Sequence, residues 1–306
     1  MRKRGVLQRI IVASITLATL TGCAQSQSSN IDIATADAIS VTSDEQLSAK
    51  RIVALANGSA EIISALGYKA NLIGRDIAST ESDLKTVPVI TSGHVVIAEK
   101  IISLNPDLVL IDKSTGPVAA IAALKSANIL VKEIPEAWQL SDISKKVASI
   151  AGVIGAPKAG DKLTAELQSA ISRVKDIGNR SGVVFLYLRG GSAIYLVGGK
   201  GSGADSLISA LGAVDLGAAQ LANPFNPMSS ELMVKLNPDV ILVMSKGLQS
   251  VGGISGLTQL PGIAQTKAGK AQRIIVVDDS LLLSFGPRTP DLLARLGVAL
   301  SKGNNP

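Results

Sequence analysis

The chain repeats part of itself once, and that repeat restricts the fold more than any other feature. Glu99-x4-Leu104-Asn105-Pro106-Asp107-x-Val109-Leu110 returns as Glu231-x4-Leu236-Asn237-Pro238-Asp239-x-Ile241-Leu242. Ile62-Ile63-Ser64-Ala65-Leu66-Gly67 returns as Leu207-Ile208-Ser209-Ala210-Leu211-Gly212. The offsets are 132 and 145 residues, and the two segments keep their order in each half. A repeat that occurs only twice excludes a solenoid, which stacks many short units. It predicts two lobes of similar build, and 306 residues are enough to give each a core.

Within the first half, short apolar runs alternate with helical ones. Arg51–Leu55, Leu72–Ile73, Leu108–Ile111 and Ile129–Ile134 read as strands, and Ser59–Leu66, Ala98–Leu104 and Val118–Ser126 as helices. Strands alternating with helices predict parallel sheets, so the class is α/β. Between the halves, Leu163, Leu167, Ala170, Ile171, Val174 and Ile177 keep a helical period. One helix there would span roughly 30 Å and join the lobes stiffly. The expected organisation is a lobe over 51–155, a bridging helix within 156–180 and a lobe over 181–303, with a ligand cleft between the lobes.

The amino terminus reads differently. Arg2, Lys3, Arg4 and Arg9 lead into an apolar run, Ile10–Leu20, which is too short to span a bilayer. It ends in Leu20-Thr21-Gly22-Cys23, the pattern of a bacterial lipobox. Residues 1–22 are expected to be a signal peptide, Cys23 the lipidated residue, and 23–50 a polar, flexible tether. Removing a leader with four cations takes the net charge from +6 to +2, which argues against nucleic acid as a partner. With one cysteine, no disulfide forms within the chain.

His94 is the only histidine, and it follows a run, Val87–Thr91, that reads as a strand. The carboxyl ends of strands are where open α/β sheets place ligands. One histidine excludes zinc or manganese carriage, which needs several protein nitrogen ligands. In Phe185-Leu186-Tyr187-Leu188-Arg189-Gly190, residues 187 and 189 share one face of a strand. A cation beside a phenol favours its anionic form, and a phenolate is a hard ligand for ferric iron. The glycine-rich Val197–Gly203 lacks the Gly-Lys-Ser/Thr ending of a nucleotide loop and reads as a turn before a helix near Ala204. No Ser/His/Asp arrangement is visible, so an extracytoplasmic enzyme is a remote alternative and no catalytic cofactor is expected.

The lipobox, tether, two α/β lobes and bridging helix resemble the class III substrate-binding proteins of ABC importers for iron-siderophore, cobalamin and haem. That resemblance implies an exported lipoprotein held by its lipid anchor at the outer face of the cytoplasmic membrane. Its partner would be a permease dimer with its ATPase, docked through Glu99 and Glu231, which occupy matching places in the repeat. Gly93-His94 with Ala98-Glu99, the Tyr187-x-Arg189-Gly190 run and Ser284-Phe285-Gly286-Pro287-Arg288-Thr289 resemble the haem-binding branch. This implies haem as cargo, with His94 and Tyr187 as axial ligands of its iron and Arg189 supporting the tyrosine. Arg75 and Arg288 are candidates for the propionates, because guanidinium forks match carboxylates. Tyr195, Phe225, Met244 and Phe285 are candidate pocket residues. Aromatic residues make up only 2% of the chain, so a ferric siderophore or cobalamin remains the alternative cargo.

Overall fold

The computed structural model describes residues 30–92, 95–178 and 180–302. The expected leader and Cys23 therefore lie outside the described residues. The chain enters as β1 (Ile31–Ile33), then forms β2 (Ile52–Ala54), α1 (Ser59–Ala65), β3 (Leu72–Arg75) and a hairpin of β4 (Thr91–Ser92) and β5 (Val95–Val96). It continues through α2 (Ala98–Ser103), β6 (Leu108–Ile111), α3 (Val118–Ser126) and β7 (Leu130–Glu133). Strands β3, β2, β6 and β7 make a four-stranded parallel sheet in that order. All residues of β2 and β6 are buried, as expected of central parallel strands covered on both faces.

Two helices lead to the second lobe, α4 (Ile143–Ile154) and α5 (Pro157–Ser172). The second lobe then runs β8 (Gly182–Arg189), β9 (Ile194–Gly198), α6 (Ala204–Ala210), β10 (Val214–Asp215), α7 (Leu216–Gln220), β11 (Phe225–Pro227), α8 (Ser230–Leu236) and β12 (Val240–Met244). It closes with α9 (Ser245–Ser250), α10 (Gly253–Gln259), α11 (Lys267–Lys270), β13 (Ile274–Val277), α12 (Asp279–Leu282) and α13 (Thr289–Ser301). Its sheet has seven strands in the order β1-β13-β12-β8-β9-β11, with β10 added beside β8. Strands β1, β13, β12 and β8 are parallel, while β9 and β11 form an antiparallel margin.

The repeat has a structural cause. Asn105 and Asn237 both take left-handed backbone, with φ of 47° and 41°, and turn the chain out of α2 and α8. Two residues later, the Asp107 carboxylate accepts the Lys50 and Arg51 N–H groups at 2.8 and 3.0 Å. In the other lobe, the Asp239 carboxylate accepts the Gly182 N–H at 2.8 Å. Each aspartate thus ties the start of one central strand to the start of its neighbour. Gly67 and Gly212, with φ of 91° and 73°, end α1 and α6 in the conformation that glycine adopts without strain.

The bridging helix α5 has 16 residues, close to 24 Å by its rise. Its first free N–H groups, of Lys158 and Ala159, donate to the Glu45 carboxylate at 3.1 and 2.8 Å. A Cβ at Gly160 would lie 2.4 Å from the Ala151 Cβ, so glycine is what lets α4 and α5 pack closely. The helix ends at Ser172, short of the expected Ile177, and beyond it the Asp176 carboxylate accepts the Gly178 N–H at 2.7 Å where the chain turns toward β8.

The expected tether over 23–50 is corrected for residues 30–50. Strand β1 pairs with β13, and Ile33 and Val41 are buried. The N–H groups of Ile39, Val41 and Ser48 donate to the carbonyls of Pro287, Ala65 and Ile154 at 3.1, 2.8 and 2.9 Å. This segment crosses from the second lobe to the first. One core also crosses between them, joining Ile62 and Leu108 to Leu163, Phe185, Leu207, Leu242 and Leu293.

Candidate functional site

Strand β8 alternates between two cores. Val183, Phe185 and Tyr187 face the core shared by both lobes, and Val184, Leu186 and Leu188 face the core on the far side of the sheet. Tyr187 is half-buried near the carboxyl end of this strand, its ring edge-on to Phe225 with centroids 5.6 Å apart. Arg189, on the same face, donates from Nε to the Tyr187 Oη at 2.6 Å, and its guanidinium carbon lies 5.2 Å from the ring centroid. The structure therefore brings together Tyr187, Arg189 and Phe225. A phenol oxygen held by a guanidinium is suited to a hard ferric centre.

The other expected pocket residues are corrected. Tyr195 pairs with Leu188 across the hairpin and so packs on the far side of the sheet from Tyr187. Met244 shares the face of Tyr187 but is only 6% exposed, and Phe285 is 1% exposed; both pack in the shared core rather than in an open pocket. The glycine-rich segment does form a turn before α6. Its Gly201 and Gly203 N–H groups donate to the carboxylate of Asp205, at 2.7 and 3.0 Å.

Two arginines expected to meet carboxylates of a ligand are corrected as well. Arg75 is buried, and its Nε and Nη1 donate to the carbonyls of Leu84, Val87, Asp76 and Ser79, which organise the loop after β3. Arg288 is buried between the lobes, its Nη2 at 3.1 Å from Glu61 and 2.6 Å from Glu81. His94 lies outside the described residues. On either side of it in sequence, β4 and β5 pair antiparallel through Ser92 and Val95. Of the expected strand Val87–Thr91, Val89 makes an isolated bridge to Arg75 and Thr91 opens β4. Glu99 and Glu231 are exposed in the first turns of α2 and α8.

The seam between the lobes holds charged groups that sequence reasoning missed. Lys146 on α4 is buried and donates to the Ser284 carbonyl at 2.7 Å. Burial pushes its ammonium down to about 8, against the attraction of Glu61, Asp112 and Glu136. Asn57, Asp112, Glu136, Trp138 and Lys146 border a cavity of about 120 Å³ at the carboxyl ends of β2, β6 and β7. Burial, and then the neighbouring Glu61, push Glu81 up to about 8. A signal for Lys146 was present, since it falls on the apolar stripe Ile143, Val147 and Ile150. Glu61 likewise interrupts the apolar run of α1.

Known proteins share this architecture. The sequence profile of the periplasmic binding protein family matches residues 52–281. An uncharacterized ABC transporter substrate-binding lipoprotein of Bacillus subtilis (strain 168), YvrC, is 29% identical over 247 residues, covering 78% of this chain and 76% of that protein. The periplasmic haem-binding protein RhuT from Roseiflexus sp. RS-1, solved in its apo form, is 35% identical with a TM-score of 0.79, covering 84% of this chain and 99% of RhuT. The haem-binding protein HmuT is 33% identical with a TM-score of 0.76, covering 88% of this chain and 94% of HmuT. HmuT has also been solved with a histidine, a tyrosine and the arginine two positions beyond that tyrosine replaced in turn. With its profile matched over most of its length and its fold shared with such proteins, this chain belongs to the periplasmic binding protein family.

Proposed function

We propose that this chain is the substrate-binding subunit of an ABC importer and that its cargo is haem. The observation that carries the reading is Tyr187 held by the Arg189 guanidinium at the carboxyl end of β8. That spacing of tyrosine and arginine matches the residues replaced in HmuT, and RhuT and HmuT are haem-binding proteins of the same fold. Tyr187 from one lobe and His94 from the other would take the two axial positions of the haem iron, as tyrosine and histidine do elsewhere. Phe225, edge-on to Tyr187, keeps the phenol ring oriented and adds an apolar surface beside it. Arg75 and Arg288 are occupied elsewhere, so the propionates fall to other donors. Glu99 and Glu231 offer one exposed negative charge per lobe to the permease. Cys23 would carry the lipid that holds the protein at the outer face of the membrane.

The test is a titration of the full chain carrying Cys23→Ser. Added hemin should give a saturable Soret shift at one concentration range, while a ferric siderophore should leave the intrinsic fluorescence of Trp138 unchanged. Siderophore quenching without a hemin response would overturn the cargo and leave the importer role standing.

A further inference from the structure

We propose that Glu61, Arg288 and Glu81 form an interlobe pin that fixes the spacing of the two ligand-facing walls, which makes them positioning residues for cargo capture. Arg288 sits at the start of α13 in the second lobe, while Glu61 lies on α1 and Glu81 before Leu84 in the first. The Arg288 Nη2 meets both carboxylates, and the Arg288 N–H donates to the Glu61 Oε1 at 2.9 Å. All three side chains are less than 10% exposed. The guanidinium also meets the Ser280 carbonyl at 2.9 Å, so it is anchored to its own lobe while it grips the other.

The pin is one part of a continuous clamp. The segment from Leu283 to Arg288 also receives Asn57 Nδ2 on the Leu283 carbonyl at 3.0 Å, Lys146 Nζ on the Ser284 carbonyl and the Ile39 N–H on the Pro287 carbonyl. Asn57 follows β2, and the clamped segment follows β13 by way of α12. The attachment therefore lies where the carboxyl ends of strands from both lobes meet. A change of spacing at this attachment would change the separation of the lobes.

The pin holds two carboxylates against one guanidinium. The charged groups acting on Glu81 are Glu61, Arg288 and, from the loop after β3, Asp76. Arg288 is in turn influenced by Asp278, and Glu61 acts on Lys146. The Oε2 of Glu81 has no hydrogen-bond partner, as does the Nε of Arg288. Burial and the neighbouring Glu61 raise the Glu81 carboxyl to about 8, so its ionisation in alkaline solution adds a buried negative charge beside a single guanidinium. The pin is therefore weakest in alkaline solution.

The haem part of the test rests on the proposed function, and the distance part does not. Spin labels at Lys132→Cys and Lys235→Cys, both exposed and on different lobes, in the chain carrying Cys23→Ser report lobe spacing by pulsed electron resonance. Arg288→Gln should broaden the distance distribution and raise the hemin off-rate by about tenfold, with the ferric spectrum unchanged because Tyr187 remains. Arg288→Lys, which keeps the cation, should recover much of both. Should Arg288→Gln fail to fold, Glu81→Gln decides. The wild-type distribution should broaden between pH 7 and 9, and that broadening should be smaller in Glu81→Gln. A folded Arg288→Gln protein with unaltered spacing, or equal broadening in wild type and Glu81→Gln, would overturn the pin. Loss of hemin binding in the unaltered chain would overturn the cargo alone.

Discussion

Arg189 does two things to Tyr187, donating a hydrogen bond to its oxygen and placing positive charge beside its ring. Arg189→Met keeps the bulk and removes both, so hemin affinity should fall by tenfold or more, about 1.5 kcal/mol or above for a charged hydrogen bond. Arg189→Lys keeps the charge without the planar donor and should fall in between. Equal affinities for the three proteins in a hemin titration would separate Arg189 from the tyrosine's role. This pair was legible in the sequence because a strand has period two, so residues 187 and 189 had to share a face. Arg75 and Arg288 were not legible. A guanidinium reads the same whether it meets a ligand, a loop carbonyl or a buried acid, and the two acids that hold Arg288 lie 227 and 207 residues away along the chain.

The elements that the sequence showed clearly are those with a full period or a defined stop. Helices α1, α2 and α3 begin and end within a residue of their expected bounds because glycine, asparagine or proline closes them. The three-residue β1 reads as tether in the sequence because Ile31 and Ile33 are two apolar residues in a polar stretch, and only pairing with β13 makes them a strand. From the sequence Tyr195 reads as a pocket residue, because the register of the β8–β9 hairpin, which sets its face, is not written in either strand alone. The repeated aspartates have a role that the repeat did not reveal. Asp107→Ala or Asp239→Ala should each lower stability by about 1–3 kcal/mol, since N–H groups at strand starts lose their acceptor. Chemical denaturation would read this, and an unchanged midpoint in both variants would contradict it.

For the whole molecule, the buried charges predict how stability follows pH. Glu81 is raised from 4.5 to about 8 and Asp215, mainly by burial, from 3.8 to about 6. A raised carboxyl stabilises the folded state most below its unfolded value, and that contribution is lost as pH rises through the folded value. Lys146, lowered from 10.5 to about 8, acts in a separate window, because its penalty is complete below pH 8 and relieved above it. The melting temperature should fall from pH 5 to 8 and recover toward pH 10. Glu81→Gln should flatten the fall between pH 6 and 8. A melting temperature that climbs steadily from pH 5 to 8 in calorimetry would contradict these assignments. On the outer surface, Glu99→Arg with Glu231→Arg should stop cargo uptake by cells while leaving hemin affinity unchanged. Normal uptake would reduce both glutamates to partners of their own helix termini.

The central claim is that Tyr187 binds the iron of haem. The most direct measurement is the absorption and resonance Raman spectrum of the ferric haem complex formed by the chain carrying Cys23→Ser, compared with the same chain bearing Tyr187→Phe. The substitution retains the ring that packs against Phe225 and removes only the oxygen that receives Arg189. A phenolate-to-iron charge-transfer band and its Raman modes should appear in the first protein and vanish in the second, with weaker hemin binding. Identical spectra and affinities in the two proteins would show that Tyr187 is not a ligand.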